Sequence, residues 1–262
     1  MSPAQTVVFG DDHSDGADEA WGWVCAQTWA GWRAEVLTAV MPPVGPPPDP
    51  ADAAPHAWEP PTPRDPGDAG FTETVHLRAD ADPRYVLEHQ DHAGVLVVGP
   101  VGKGFLKSLH LGSIAEHVLA NATVPVLVAR GASPVRRVLV AIDGSDHAQR
   151  AVVALASMPW YSDLDSVTLV TILDGKDRDA DVFDRAVSAL PGVAVETVAL
   201  ERGERVWESI CGAASRDGSD LVVAGTHSFR KMRERVLGST ATALASHAPC
   251  AVLFGRDSSD GS

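Results

Sequence analysis

The chain has 262 residues, 45% of them apolar, and a formal net charge of −14. That is room for two domains with real cores, and it excludes a disordered polymer. The acidic surplus argues against sequence-independent binding to DNA or RNA, whose phosphates would repel it.

Residues 6–9 read as a strand, followed by the turn Asp11-Asp12-His13-Ser14 and a helix over 17–32 with Trp21, Val24, Cys25 and Thr28 at helical spacing. A second strand is expected over 34–40. Residues 41–70 hold eleven of the nineteen prolines. No regular helix accommodates them, so an extended surface excursion is expected in place of a helix. A strand follows at 71–77, a helix at 84–91, and then Val95-Leu96-Val97-Val98 runs into Gly99-x2-Gly102-x9-Gly112-Ser113. A helix from Ser113 and a strand over 124–129 complete the set. Gly131-Ala132-Ser133-Pro134 reads as a linker.

The plan then repeats. A strand over 138–142 stops at Asp143-Gly144-Ser145, and a helix follows over 147–158. A strand is expected at 167–172, a helix at 180–190 and an alternating strand at 193–200. After a helix at 205–215, the strand 221–224 runs into Gly225-x2-Ser228-x9-Gly238-Ser239, a helix at 239–247 and a strand at 250–254. Alternating strands and helices predict two parallel sheets with helices on both faces, one in residues 1–132 and one in 133–262. The first carries a charge balance of −10 and the second −4.

The duplicated glycine loop carries the chemistry. Glycine lets backbone approach an anion closely, and a Gly-Ser pair opening a helix presents free N–H groups and the positive end of the helix dipole. Lys103 and Lys107 lie in the first loop; Arg230, Lys231, Arg233 and Arg235 lie in the second. In an open parallel sheet the loops after the first and fourth strands meet where strand order reverses. Asp11 and Asp143 are the carboxylates expected there, near ribose hydroxyls or a Mg²⁺ that bridges phosphates. The structural alternative makes Asp11, Asp143 and Ser145 helix caps, and Ser113 with Glu116 a capping box. The histidines show no metal spacing, and the tryptophans read as core or interface anchors. Cys25, Cys211 and Cys250 read as buried thiols in a reducing compartment. With no apolar run near the ~20 residues of a bilayer span and no leader-like start, a cytoplasmic protein is expected.

On the Gly-x2-Gly-x9-Gly-Ser pattern, Asp143-Gly144-Ser145 and Ala248-Pro249-Cys250-Ala251-Val252-Leu253, the chain resembles tandem members of the universal stress protein family. The resemblance spans all but residues 41–70. It implies two Rossmann-like, adenine-nucleotide α-hydrolase-like α/β domains, each with five parallel strands in the order 3-2-1-4-5. It also implies ATP binding, pairing of the domains through their fifth strands with a homodimer left open, and a role in stress response; whether Mg²⁺ accompanies the ATP is left open. By position, Asp11 or Asp143 would contact the adenosine. Gly99, Gly102, Gly112 and Ser113 would hold phosphates in the first domain, and Gly225, Gly238 and Ser239 in the second. Ser228 replaces the middle glycine of the second copy, whereas Pro100 and Val101 depart from the pattern in the first. The first copy is expected to be the better phosphate site, with the second close behind.

Three functional readings follow. A nucleotide-dependent sensor or adaptor is favoured, not an enzyme, with slow ATP hydrolysis left open and not expected. A scaffold of the same fold that has lost nucleotide is the alternative, with the proline-rich insert as its partner site. An adenylyltransferase is disfavoured, because neither Asp11-Asp12-His13-Ser14 nor Asp143-Gly144-Ser145 carries a catalytic signature.

Overall fold

Short runs of valine and leucine form strands buried on both faces. Val7, Val8, Phe9 and all four residues of Val95–Val98 are at most 4% exposed, as parallel strands between helix layers must be. The computed structural model describes residues 5–42, 54–57, 59–60, 62–101, 111–173, 181–201, 203–226 and 237–256. The first half runs β1 (Thr6–Gly10), α1 (Asp15–Cys25), β2 (Arg33–Ala39), β3 (His56–Ala57), β4 (Glu73–Ala79), α2 (Pro83–Glu88), β5 (Val95–Val98), α3 (Ser113–Asn121) and β6 (Val126–Val128). The second runs β7 (Arg137–Ala141), α4 (Asp146–Ala156), β8 (Ser166–Leu173), α5 (Asp181–Ser188), β9 (Ala194–Glu201), α6 (Val206–Asp217), β10 (Leu221–Gly225), α7 (Ser239–His247) and β11 (Ala251–Gly255).

The strands make one sheet in the order β3-β4-β2-β1-β5-β6-β11-β10-β7-β8-β9. Each half contributes five parallel strands in the order third, second, first, fourth, fifth. The first half gains a further strand, because β3 pairs antiparallel with β4. The halves join where β6 meets β11 antiparallel, with Leu127 opposite Leu253. Counted from Ser113 and Ser239, the first residues of α3 and α7, those two leucines are the same position of the repeat. A pseudo-twofold axis therefore passes between them.

Helices α1, α4 and α5 cover one face in a core that runs through both halves; α2, α3, α6 and α7 cover the other. On the first face Trp23 of α1 meets Trp160, which follows α4, edge to face at 6.2 Å. The side-chain amide of Gln27 donates to Trp23 O and Ser133 O, both at 3.0 Å, and its oxygen accepts from Val135 N–H at 2.9 Å. The linker is thus pinned to the end of α1. Among the described residues no helix is long and apolar enough to cross a membrane. The three thiols are half-buried and free, and burial pushes Cys25 up to about 11 and Cys250 up to about 12.

Two expectations need correction. The helix expected over 17–32 ends at Cys25. Beyond it the chain turns so that Trp29 packs on Trp32 at 5.5 Å and stacks on Phe71 at 5.6 Å. The Trp29 backbone N–H donates to Ala69 O at 2.7 Å. Residues 41–70 are also more than a surface excursion. Their described part carries β3 and buries Pro60 and Ala69. Its Asp65 O also accepts the Trp21 indole N–H at 2.9 Å.

Because Trp23 and Trp160 are each 1% exposed, Trp23→Ala or Trp160→Ala should cost about 3–5 kcal/mol. A double-mutant cycle in urea should return a coupling of about 0.5–1.5 kcal/mol within one cooperative transition. Additive losses, or two transitions, would contradict a core shared by the halves.

Candidate functional site

Strand order reverses between β1 and β5 and again between β7 and β10, so a crevice for ligands opens at the carboxyl ends of those strands. The turns after β1 and β7 match residue for residue. Ser14 and Ser145 are N-caps, their Oγ atoms accepting from Ala17 N–H at 3.2 Å and Ala148 N–H at 3.1 Å. The next residue back is left-handed in both, His13 at φ 55° and Gly144 at φ 80°. Asp12 Oδ1 accepts from Ser14 N–H at 3.1 Å, just as Asp143 Oδ1 accepts from Ser145 N–H at 3.0 Å. The counterpart of Asp143 is therefore Asp12, not Asp11. Asp11 instead matches Ile142, their N–H groups donating to Leu37 O at 2.9 Å and Val170 O at 2.8 Å. Two successive aspartates hid the one-residue offset.

The glycine loops divide into two parts. Gly99 and Gly225 serve close packing. A Cβ at Gly99 would lie 2.8 Å from Gly16 O, and one at Gly225 would lie 2.9 Å from Ala148 N. Gly112 and Gly238 have extended backbones at φ −77° and −62° and need no glycine conformation. Their N–H groups donate to Pro100 O at 2.7 Å and Thr226 O at 3.1 Å, closing both loops at the same neck. Both are N-cap residues without a side-chain cap bond. Ser113 and Ser239 are consequently the first helical residues, and the capping box of Ser113 with Glu116 does not form. Instead Glu116 N–H donates to Gly112 O at 2.9 Å. Each half thus presents a helix N-terminus whose orphan N–H groups favour an anion. Gly102, Ser228, Lys103, Lys107, Arg230, Lys231, Arg233 and Arg235 lie outside the described residues.

The halves differ beside the first-strand turn. In the first, the insert sends Arg64 under α1. Arg64 Nε and Nη2 donate to Asp11 at 2.9 and 2.7 Å, and Nη1 donates to Asp18 at 2.5 Å. The Asp11 side chain is fully buried, and that of Arg64 is 14% exposed. Burial pushes the Asp11 carboxyl up, but bonds from Arg64 and His13 N–H outweigh it and hold the group below its ordinary 3.8. Behind this pair, His76 Nε2 accepts from Arg64 N–H at 2.9 Å. A Cβ at Gly16 would lie 2.1 Å from Val101 O, so the glycine loop also rests on α1 there. The second half has His147 at the Gly16 position, Ile142 at Asp11 and Gln149 at Asp18, counted from the N-cap serines. Where the first half holds a guanidinium, the second has a cavity of about 240 Å³ lined by Ile142, Ser145, Gln149, Val182, Arg185 and Ala186, among others. The sequence marked Asp11 but not its partner, since an arginine 53 residues away shows no pattern.

Two doubly wound α/β halves, fused through their fifth strands and each with an uncapped helix start opposite a first-strand turn, define a tandem Rossmann-like protein. The model described as "Universal stress protein family" matches over residues 3–130 and 134–256, and the chain belongs to that family. A Thermus aquaticus protein named as a universal stress protein in the QAH/OAS sulfhydrylase 3′ region is 31% identical, over 46% of this chain and 98% of its own. A universal stress protein structure from Archaeoglobus fulgidus covers 97% of this chain and 98% of its own at 18% identity and TM-score 0.69. A universal stress protein solved in complex with cAMP is 23% identical over 45% of this chain and 95% of its own, with TM-score 0.33.

Removing one member of a buried ion pair strands the other, which typically costs about 3–5 kcal/mol. Arg64→Leu should lower the unfolding free energy by that much at about pH 7. Because the folded Asp11 carboxyl lies below its ordinary 3.8, the pair's contribution is complete at neutral pH and drains away as pH falls through the folded value. Urea titrations should therefore show the gap between wild type and variant narrowing as pH falls below the ordinary carboxylate range.

Proposed function

We propose that the protein binds an adenine nucleotide, ATP with Mg²⁺, in its second half. On this reading it acts as a nucleotide-dependent sensor or adaptor in a stress response, not as an enzyme. The carrying observation is a pair of features at the carboxyl ends of β7 and β10: the Asp143 turn, with a cavity beside it between α4 and α5, and the start of α7 above the Gly238–Thr226 neck. Backbone N–H groups and the dipole of α7 suit the phosphates. Asp143 is exposed, so its carboxylate can take a ribose hydroxyl or a hydrated Mg²⁺ between phosphates, a role that needs one or two carboxylates. Ser145 is committed to capping α4, which makes it a poor nucleophile and supports holding over turnover.

For the first half the scaffold reading is favoured by one observation, the Arg64 guanidinium in the place of the cavity. That reverses the preference that the intact glycines of the first copy suggest.

Mg-ATP at about 100 times its dissociation constant should stabilise nucleotide-free protein by about 2.7 kcal/mol, read as a rise in melting temperature. Gly238→Asp should abolish the rise without harming α7. Its φ of −62° suits any residue, and aspartate is a favoured N-cap that sets a negative charge where phosphate would sit. ADP should appear no faster than in buffer. No rise in wild type would refute nucleotide binding.

A further inference from the structure

The repeat gives an internal control, because one pocket position is seen twice in one chain. In the second half that position is a cavity bounded by Ile142 and Gln149, and the arginine on its lining, Arg185, is 60% exposed and pairs outward with Asp146. In the first, both bounding residues are carboxylates, Asp11 and Asp18, and a guanidinium lies between them. Substituting two walls with acids and supplying one arginine from an insert are matched changes. Asp11, fully buried, would not be tolerated without the cation, whereas Asp18 is 62% exposed and meets the guanidinium at the rim. Arg64 is fixed from behind as well, through its N–H to His76 and through its neighbour Asp65, whose carbonyl takes the Trp21 indole.

We infer that Arg64 is a resident occupant of the first-half pocket, fixing the capacity of the chain at one nucleotide. The guanidinium fills the space that the second half leaves as a cavity, and the Val101 carbonyl lies against Gly16 beside it. The insert thus acts as a built-in ligand, and Arg64 is the residue that sets stoichiometry. The count of one rests on the nucleotide reading above; the occupancy of the pocket by a guanidinium does not.

Two measurements separate these. Equilibrium dialysis with ATP should give one nucleotide per wild-type chain and none for Gly238→Asp. Two per chain, or one retained by Gly238→Asp, would overturn the inference. No binding by wild type would sink the nucleotide reading and leave occupancy to the second measurement. There, Arg64→Ala should melt below wild type, and millimolar methylguanidinium should restore much of the loss. The same ion should do nothing for wild type or for the variant Asp11→Ile/Asp18→Gln/Arg64→Ala, which copies the second-half walls. If Arg64→Ala does not fold, Arg64→Gln, which keeps the stem and a donor, takes its place. Absence of rescue in a folded variant would mean that Arg64 is a structural strut and the pocket no discrete site.

Discussion

The antiparallel pairing of β6 with β11 is the contact on which the rest depends. A fifth strand would otherwise leave an edge of unpaired N–H and C=O groups in each half, an invitation to pair with another chain. Here each edge satisfies the other through Val126–Val128 and Val252–Phe254. The centre of the pairing falls on equivalent leucines, so two tandem copies of one unit satisfy it without either being redesigned. Pairing also sets α1 beside α4, and on that face the two halves share one core. Trp23 and Trp160 fill the seam, and Gln27 uses both ends of its amide to fasten the linker there.

Symmetry of the frame throws the asymmetry of the pockets into relief. A buried ion pair is weak evidence for stability, because desolvation offsets much of its attraction. The Asp11–Arg64 pair therefore needs another reason. A proline-rich segment offers few backbone donors and cannot be held by a ladder of its own. What holds the described part of this one includes a few directed bonds: two residues of β3 on β4, Arg64 N–H to His76, Asp65 O to Trp21, Ala69 O to Trp29, and the Arg64 fork. Of these the charged fork is the most directional and reaches deepest. It anchors the insert and fills the pocket in one act.

Much of this frame is legible in the sequence, because it is written in local patterns. Short apolar runs ending in glycine or aspartate mark the strands, and the repeated spacing marks the two halves. The strand order and fifth-strand pairing came with the family resemblance and are present in the fold. What could not be read depends on contacts distant in sequence. Arg64 looks like any surface arginine until β1 and the insert are placed together. Asp11 looked equivalent to Asp143 because Asp12 stands next to it, and only the N-cap serines resolve the register. The spacing of Gly99 and Gly225 suggests room for phosphate, yet the nearest atoms to their missing Cβ are backbone of α1 and α4. The helix to residue 32 failed because Trp29 and Trp32 find more apolar surface in a turn against Phe71 than on a helix.

Helix α4 defines what the second-half cavity can do. It is held on one side by glycines at the strand ends: a Cβ at Gly255 would lie 2.2 Å from Ala151 N, and one at Gly225 would lie 2.9 Å from Ala148 N. Backbone packed that closely has no lateral play, and Ala151, Val152 and Leu155 tie the same helix into the shared core. The opposite wall, α5, is held differently. Its Arg185 reaches Asp146 at 2.9 Å, with both side chains more than half exposed, and such a pair contributes at most about 1 kcal/mol. Ala186, and Leu190 just beyond the helix, still anchor α5 in the shared core, so of the two walls α4 is the one held by backbone and α5 the one held by side chains alone. In the first half the corresponding outer wall is the insert, and its Arg64 already occupies the space.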